Sequence, residues 1–160
     1  MPIVEVDESN VGYAVGLGKE LVSASLFGQT GPAFDWGHTL TTLRYAASTP
    51  TYFIRLAQSD SGEYTGFVGG HLSPFFFSPV RMAIEDAWYV REGTPNRTVV
   101  ALTLMRAFVL WATEQDAVLV QSGDIANINS VATDALYKRL GFERFGTAYK
   151  YTPNRDRSAA

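Results

Sequence analysis

The sequence predicts a single α/β domain in which helices cover both faces of a mixed sheet. The predicted elements follow the order β-α-α-β-β-β-α-β-α-β, with strands in the middle and helices that interrupt them at two places. The chain has 160 residues, of which 46% are hydrophobic and 18% charged, so it can bury one core. We assign residues 1–151 to this domain and interpret residues 152–160 as a polar tail.

The first third of the chain predicts one strand and two helices. Polar residues at 7–10 are predicted caps for the first helix, and Ser48-Thr49-Pro50 ends the second. The loop at residues 27–36 is rich in glycine and aromatic residues, and it either docks aromatic side chains on the core or forms part of an acceptor-binding wall. The predicted bounds are residues 3–6 for the strand and residues 11–25 and 36–47 for the helices.

Three strands are predicted in the middle of the chain, at residues 51–58, 64–72 and 82–90. Asp60-Ser61-Gly62 is typical of a hairpin turn between the first two. Before the third strand stands Phe75-Phe76-Phe77, bracketed by prolines. Three consecutive aromatics cannot all face one side of a strand. They therefore fold back on the core, form a subunit interface or line a substrate pocket.

Two adjacent acids, Glu85 and Asp86, interrupt the third of these strands. Strand alternation sends their side chains to opposite faces unless a bulge intervenes. A carboxylate inside a core costs free energy unless it is paired or used. These two residues are therefore candidates for chemistry.

The second half predicts a long helix, a strand, a last helix and a final strand. The long helix is apolar on most faces, which indicates burial against the sheet. Ser130 is the predicted cap of the last helix, and Gly141 is its predicted end. The predicted bounds are residues 98–115 and 130–140 for the helices and residues 117–122 and 142–151 for the strands.

The start of the long helix is a candidate phosphate site. A helix N-terminus exposes unpaired amides and the positive end of its dipole, which favours a phosphate. Arg97 lies at this end and Arg91 is nearby. The alternative is an ordinary helix start with two solvated arginines.

Tyr137, in the last helix, is a candidate general acid. The apolar stripe of this helix is predicted to contain Leu136 and Leu140 together with Ala132 and Ala135. Tyr137 lies about 100° beyond Leu136, on the flank of the stripe. A phenol there can reach a cleft and donate a proton to a leaving thiolate. The alternative is a tyrosine packed at the edge of the sheet.

Composition narrows the classes of function. The chain has no cysteine, which excludes disulfides, thiolate metal sites and a cysteine nucleophile. His38 and His71 are far apart, lack an acid–nucleophile arrangement and form no i, i+4 pair, so we predict no metal site. A net charge of −3 argues against nucleic-acid binding as the main role of the protein. The acidic N-terminus and the lack of an apolar run of about 18 residues predict a cytoplasmic protein without a membrane span.

Three segments resemble the Gcn5-related N-acetyltransferases, the GNAT family. Residues 84–90, Ile-Glu-Asp-Ala-Trp-Tyr-Val, resemble the fourth strand of that family. Arg97 and the apolar helix after it resemble the start of the pyrophosphate loop and the third helix. Residues 136–142, Leu-Tyr-Lys-Arg-Leu-Gly-Phe, are similar to the family's Leu-Tyr-x-x-x-Gly-Phe signature, which is the most specific match. The resemblance covers residues 51–151, whereas residues 1–50 match only in having a strand and two helices.

The resemblance implies a GNAT-like, mostly antiparallel sheet that is splayed between the fourth and fifth strands, where the pantetheine arm of acetyl-CoA lies. It implies direct acetyl transfer to a primary amine, with Tyr137 as the general acid and Glu85, or else Asp86, as the general base. The cofactor-binding residues that it implies are Trp88, Tyr89 and Val90; Arg97, Thr98, Val99, Val100, Ala101 and Leu102; and Asn129 and Ser130.

The segment after Arg97 departs from the family's pattern Arg/Gln-x-x-Gly-x-Gly/Ala. It runs Arg-Thr-Val-Val-Ala-Leu, without either glycine, so we expect Val99 and Val100 to narrow the approach of a phosphate. Ser130 stands where the family often has an asparagine seven residues before the tyrosine, and Asn129 is one place off. A glycine-poor loop of this kind resembles that of acetyltransferase-like proteins of bacteriophages.

The leading hypothesis is therefore an N-acetyltransferase that acts on a primary amine of a small molecule or a protein. One alternative is a GNAT-fold protein with weak or no turnover that binds a protein partner, which the missing glycines and Phe75-Phe76-Phe77 favour. Another is a GNAT-fold enzyme with different acyl or nucleic-acid chemistry, although the acidic net charge disfavours a DNA substrate. A homodimer through Phe75-Phe76-Phe77 is compatible with each.

Overall fold

The structure, a computed structural model, describes residues 1–26, 28, 31–124 and 126–146. The first half contains β1 (Ile3–Glu5), α1 (Val11–Ala24), α2 (Trp36–Ala47), β2 (Tyr52–Gln58) and β3 (Tyr64–Pro74). The second half contains β4 (Arg81–Val90), α3 (Arg97–Glu114), β5 (Leu119–Gln121) and α4 (Ser130–Arg139). These elements are the predicted ones, with ends that differ by at most two residues.

The strands of the described residues form one five-stranded sheet in the order β1-β2-β3-β4-β5. Neighbouring strands run antiparallel except β4 and β5, which run parallel. A parallel pair needs a crossover, and α3 lies in that connection. The predicted mixed, mostly antiparallel sheet is confirmed.

Helices cover both faces of the sheet, as predicted, and each face has its own apolar cluster. α3 packs its buried residues against one face, although its Leu110 is 60% exposed on the outer side, and α1 and α2 cover the other face. Buried residues on the α3 face include Phe53, Val68, Ala83, Leu104, Met105 and Phe108. Buried residues on the α1/α2 face include Leu17, Ala46, Ile54, Leu56, Phe67 and Tyr89.

β4 carries a bulge at its two acids. Gly69 of β3 pairs with Ala87, and Gly70 pairs with Glu85, so Asp86 is an extra residue without a partner in β3. A bulge of this kind interrupts the alternation of a strand and re-aims the side chains beside it. The sequence alone did not settle whether β4 has a bulge at these two residues. The structure has one, and Asp86 is its extra residue.

The predicted splay between the fourth and fifth strands is confirmed. β5 pairs with β4 over three residues only, and the last pair joins Ile84 with Gln121. β4 continues to Val90, so residues 85–90 have no partner strand on the β5 side within the described part of the chain. The unpaired edge of β4 and the residues after β5 therefore form the two walls of a cleft, which we call the β4/β5 cleft.

Ser130 does not cap α4, contrary to the prediction. The cap is Asn129, whose side-chain oxygen accepts a hydrogen bond from the Ala132 amide at 3.1 Å. Sequence could not separate the two because serine and asparagine are about equally good caps. Ala132 and Ala135 are exposed instead of buried. The residues of α4 that pack on the core are Leu136, Tyr137 and Leu140.

Phe75-Phe76-Phe77 does not fold back on the core. The three residues are 43%, 89% and 83% exposed, and their rings contact each other. A hydrogen bond of 2.9 Å from the Phe75 amide to the Val80 carbonyl closes the turn that presents them. The core-packing interpretation was wrong, whereas the interface and pocket interpretations stay open.

The last predicted strand falls only partly on described residues. Residues 142–146 have no strand, and residues 147–160 lie outside the described part of the chain, as do Phe27, Gln29 and Thr30 of the first loop. In the rest of that loop, Phe34 lies beside Gly18 of α1. None of the helices in the described residues is both long and apolar enough to cross a membrane.

Candidate active site

The end of α4 fixes the position of Tyr137. Gly141 has φ +83°, a left-handed conformation that glycine adopts at little cost. The amide of Phe142 donates to the Tyr137 carbonyl at 3.0 Å, and the Gly141 amide donates to the Lys138 carbonyl at 3.1 Å. These two bonds form a Schellman motif, and its apolar contact joins the rings of Phe142 and Tyr137 at 5.3 Å. The Leu-Tyr-x-x-x-Gly-Phe signature thus has a structural reason here: it ends the helix and holds the tyrosine.

A serine links the two candidate catalytic residues. The Ser122 hydroxyl donates to Glu85 Oε2 at 2.6 Å, and the same oxygen lies 2.5 Å from the Tyr137 hydroxyl. A hydroxyl has a single proton. When Ser122 donates to Glu85, Tyr137 must therefore be the donor to Ser122. Ser122 was predicted to lie at a strand end, without a functional role. The sequence feature that could have identified it is this position at the end of a short apolar strand.

The surroundings of Glu85 and Tyr137 shift both pKa values upward. Burial raises the pKa of Glu85 from its ordinary 4.5 to about 7, although hydrogen bonds from Ser122 and from the Gly123 amide oppose the rise, and the charge of Asp86 adds to it. Burial, and then the charge of Glu85, raise the pKa of Tyr137 well above its ordinary value of 10.0. A carboxyl that ionises near neutral pH suits a general base, and a phenol that keeps its proton suits a general acid.

Asp86 lies in different surroundings from Glu85. Its carboxylate is 2.8 Å from His71 Nδ1, and its side chain is 48% exposed. The His71 ring lies 5.5 Å from Tyr52, which packs with the α1/α2 cluster. No acid partner for His71 was predicted from the sequence, and the two residues are 15 positions apart. The pairing of His71 with Ile84 across the hairpin brings the two side chains together.

The β4/β5 cleft contains a polar atom that lacks a partner. Trp88 Nε1 is buried and has no hydrogen-bond partner among the described residues, and its ring lies 5.5 Å from that of Tyr137. A buried indole N–H usually finds an acceptor. The Trp88 indole N–H is therefore a donor that an acceptor atom of a bound molecule could satisfy. Tyr89, in contrast, is 8% exposed and packs in the α1/α2 cluster, so only its backbone faces this edge.

The start of α3 lies at the end of the cleft. Arg97 donates from Nε to the Val90 carbonyl at 2.9 Å, which ties the helix to β4. Val99 is 57% exposed, whereas Val100 is 3% exposed and belongs to the α3-face cluster. Of the two valines that were expected to narrow the approach of a phosphate, only Val99 has a side chain that is exposed at the helix start. The exposed side chains in this turn are Arg97, Thr98 and Val99, and the buried ones are Val100, Ala101 and Leu102.

Three other predicted polar groups are already engaged. The Asn129 side chain caps α4, and the Ser130 hydroxyl donates to Asn127 Oδ1 at 2.6 Å. Arg91 forms ion pairs with Glu20, at 2.8 Å, and with Glu63. Arg91 is therefore held by two carboxylates, and Arg97 is the arginine left for an anion at the helix start.

Several solved structures that share this fold are named as acetyltransferases. A probable acetyltransferase superposes with a TM-score of 0.73 at 20% identity, covering 95% of this chain and 96% of that one. AAC(6')-Iy, solved with the bisubstrate analogue CoA-S-monomethyl-acetylneamine, has a TM-score of 0.74 at 19% identity over 94% of this chain and 96% of its own. A ribosomal-protein-alanine N-acetyltransferase from Brucella melitensis has a TM-score of 0.68 at 14% identity over 95% and 99%.

No protein-family model matches the sequence, and no curated protein matches it. At these low identities the structural likeness establishes the fold. The GNAT fold that the sequence resemblance implied is therefore confirmed.

Proposed function

We propose that the protein transfers an acetyl group from acetyl-CoA to a primary amine, with Glu85 as general base and Tyr137 as general acid. The observation that carries the proposal is the chain of hydrogen bonds from Glu85 through Ser122 to Tyr137, at the point where β4 and β5 separate. The lack of cysteine supports a cytoplasmic location as part of the same proposal.

The cleft residues fit acetyl-CoA, which supplies an activated thioester when bound. The free edge of β4 offers backbone groups at Trp88 and Val90, and the indole nitrogen of Trp88 offers an unused donor. Arg97 and the first-turn amides of α3 would face the pyrophosphate. Because this turn lacks glycine, the positive end of the helix and Arg97 would bear most of the binding.

The two shifted groups support complementary proton transfers. An amine must lose a proton to become a stable amide, and an ionised Glu85 can accept it. The sulfur leaves as a thiolate, and Tyr137 can protonate it because the phenol is neutral at physiological pH, although its raised pKa lowers the driving force of this proton transfer. The new bond joins the amine nitrogen to the acetyl carbon, and the bond that breaks is the one from this carbon to sulfur.

Calorimetry with acetyl-CoA tests binding, and release of free thiol over a panel of primary amines tests turnover. The panel should include aminosugars and peptides with a free N-terminal alanine, since structural neighbours are named for such acceptors. We expect binding, turnover with at least one amine, and large losses in Glu85→Gln and Tyr137→Phe. No binding at millimolar acetyl-CoA would remove the enzyme proposal, and unchanged rates in both variants would remove the mechanism.

The exposed phenylalanines support contact with a second copy of the chain as part of this proposal. Phe76 and Phe77 are the most exposed aromatics of the turn, at 89% and 83%. Exposed apolar patches usually mark contact surfaces. Light scattering of Phe76→Ser tests this, because a smaller oligomer is expected if the turn is an interface, and an unchanged mass would remove the dimer.

A further inference from the structure

We propose that Ser122 is a positioning residue that passes the proton of the attacking amine from Glu85 to Tyr137. This inference rests on the proposed acetyl transfer and goes beyond it. The base and the acid then act as two ends of one relay, and neither has to exchange its proton with solvent during turnover.

The register of the sheet places Ser122 for this role. Gln121 makes the last pair with Ile84, so Ser122 is the first residue of the separating wall and lies opposite Glu85. Its oxygen is within 2.6 Å of Glu85 Oε2 and 2.5 Å of the Tyr137 hydroxyl, whereas its neighbour Gly123 donates its amide to Glu85. Both hydroxyl contacts are short enough for proton transfer along hydrogen bonds.

The proton transfers balance over one turnover. The amine proton passes to the Glu85 carboxylate as the carbon–nitrogen bond forms and the carbon–sulfur bond breaks. Tyr137 gives its proton to the thiolate, takes the proton of Ser122, and Ser122 takes the proton held by Glu85. Tyr137 must first turn its O–H bond from Ser122 to the thiolate, and Ser122 must then turn its own O–H bond from Glu85 to Tyr137. At the end the three residues have returned to their initial protonation states, and the net result is the transfer of one proton from the amine to the thiolate.

The relay differs in its consequences from a purely structural hydrogen bond. Besides Glu85 and Tyr137 themselves, the charges that act on the relay are those of Asp86 on β4, which raises the pKa of Glu85, and of Asp124 after β5, which raises the pKa of Tyr137. If Ser122 only stabilises ionised Glu85, its loss raises the pKa of Glu85 and moves the acidic limb of the pH–rate profile to higher pH. The rate should then recover fully at high pH. If Ser122 carries the proton, the rate stays low on the plateau as well.

The test compares Ser122→Ala, which lacks the hydroxyl, with Ser122→Thr, which keeps it. Ser61→Ala, in the β2–β3 turn, is the matched control for loss of a serine hydroxyl. We measure kcat and KM for thiol release from pH 5 to 10, and acetyl-CoA binding by calorimetry. We expect Ser122→Ala to lose about 100-fold in plateau kcat, with cofactor binding kept and most activity restored in Ser122→Thr.

A plateau kcat of Ser122→Ala equal to that of wild type would overturn the relay while leaving the acetyl transfer intact. Wild type that releases no thiol with any amine would instead overturn both. Should Ser122→Ala fail to fold, the proton inventory of wild-type kcat in mixtures of H₂O and D₂O decides. If kcat depends on the D₂O fraction along a curve, several protons move in the transition state, which supports the relay. If the dependence is linear, a single proton moves, which contradicts the relay.

Discussion

Glu85 and Asp86 are chain neighbours with the same functional group, yet they lie in opposite surroundings. Glu85 is half-buried beside Ser122 and Tyr137, and its pKa rises to about 7. Asp86 is 48% exposed and pairs with His71 on the other side of the bulge. The two side chains point to different sides of β4, and Asp86 is also the extra residue of the bulge, without a partner in β3.

The comparison shows that burial, and not residue type, decides which carboxylate can act as a base near neutral pH. A base must be ionised and must still attract a proton strongly. Desolvation gives Glu85 that affinity, because the charged form is less well solvated in the cleft. Loss of the Glu85 carboxylate should therefore affect activity very differently from loss of the Asp86 carboxylate.

The largest expected effect is on catalysis. We expect Glu85→Gln to lower kcat/KM at pH 8 by about 100- to 10,000-fold, since it removes the proposed base but keeps the shape of the side chain. Asp86→Asn is the matched variant and should change kcat by less than about threefold, because its side chain lies outside the Ser122 network. Thiol release with one amine measures both. Equal losses in the two variants would contradict the assignment of separate roles.

The next effect concerns the bulge that separates the two acids. Gly70 pairs with Glu85, and a Cβ at Gly70 would lie 2.5 Å from the Ile84 carbonyl oxygen and 2.6 Å from the Phe108 ring. Neither group can yield easily, because one is backbone and the other is fully buried. We expect Gly70→Ala to lower the free energy of unfolding by about 1–3 kcal/mol, measured by urea denaturation.

Gly16→Ala in α1 is the control for that substitution. A Cβ there has no heavy atom within 4 Å, so we expect alanine to stabilise the helix by about 0.5–1 kcal/mol. Destabilisation of both variants alike would mean that the close approach at Gly70 is not the cause.

The fold was largely predictable from the sequence because local patterns specify it. The alternation of the strands, the apolar character of α3 and the glycine after α4 each gave element bounds within two residues. The signature around Tyr137 was predictable for the same reason, since a Schellman motif is local. Those features involve residues no more than about one helical turn apart.

The site was less predictable because its contacts join distant segments. Glu85 and Ser122 are 37 positions apart, and His71 and Asp86 are 15 apart. The Glu85–Ser122 contact depends on the residue at which β5 stops pairing, and the His71–Asp86 contact depends on the register of β3 and β4. The resemblance implied the splay without its first residue, and the sequence left the bulge open. The exposure of Phe76 and Phe77 was equally undetermined, because a run of aromatics is compatible with a core or a contact surface.

The burial of Glu85 should also be visible in stability. A carboxyl whose folded pKa is raised binds more protons in the folded state between pH 4.5 and about 7, so ionisation destabilises the fold as the pH rises through that range. Glutamine does not ionise, so the Glu85→Gln variant lacks this destabilisation. We expect Glu85→Gln to exceed wild type in unfolding free energy by roughly 1–3 kcal/mol at pH 8, with the pH-dependent part of this gain gone at pH 4.

Asp86→Asn should show a difference of less than about 0.5 kcal/mol at both pH values, since its side chain is solvated. Urea denaturation at pH 4 and pH 8 measures the four values. A gain for Glu85→Gln that does not depend on pH would show that its carboxyl is not the buried titrating group.

The smallest effect tests the coupling between the two acids. The negative charge of Asp86 contributes to the raised pKa of Glu85, so removing it should lower this pKa. We expect the acidic limb of the pH–rate profile to move to lower pH by a fraction of a unit in Asp86→Asn. Asp86→Glu, which keeps the charge, should leave the limb close to its wild-type position. Since the Asp86 side chain is solvated, 1 M salt should screen most of the difference between the two variants. A limb that moves to higher pH in Asp86→Asn would mean that Asp86 stabilises ionised Glu85 through another group, and the two carboxylates could then no longer be treated as separate sites.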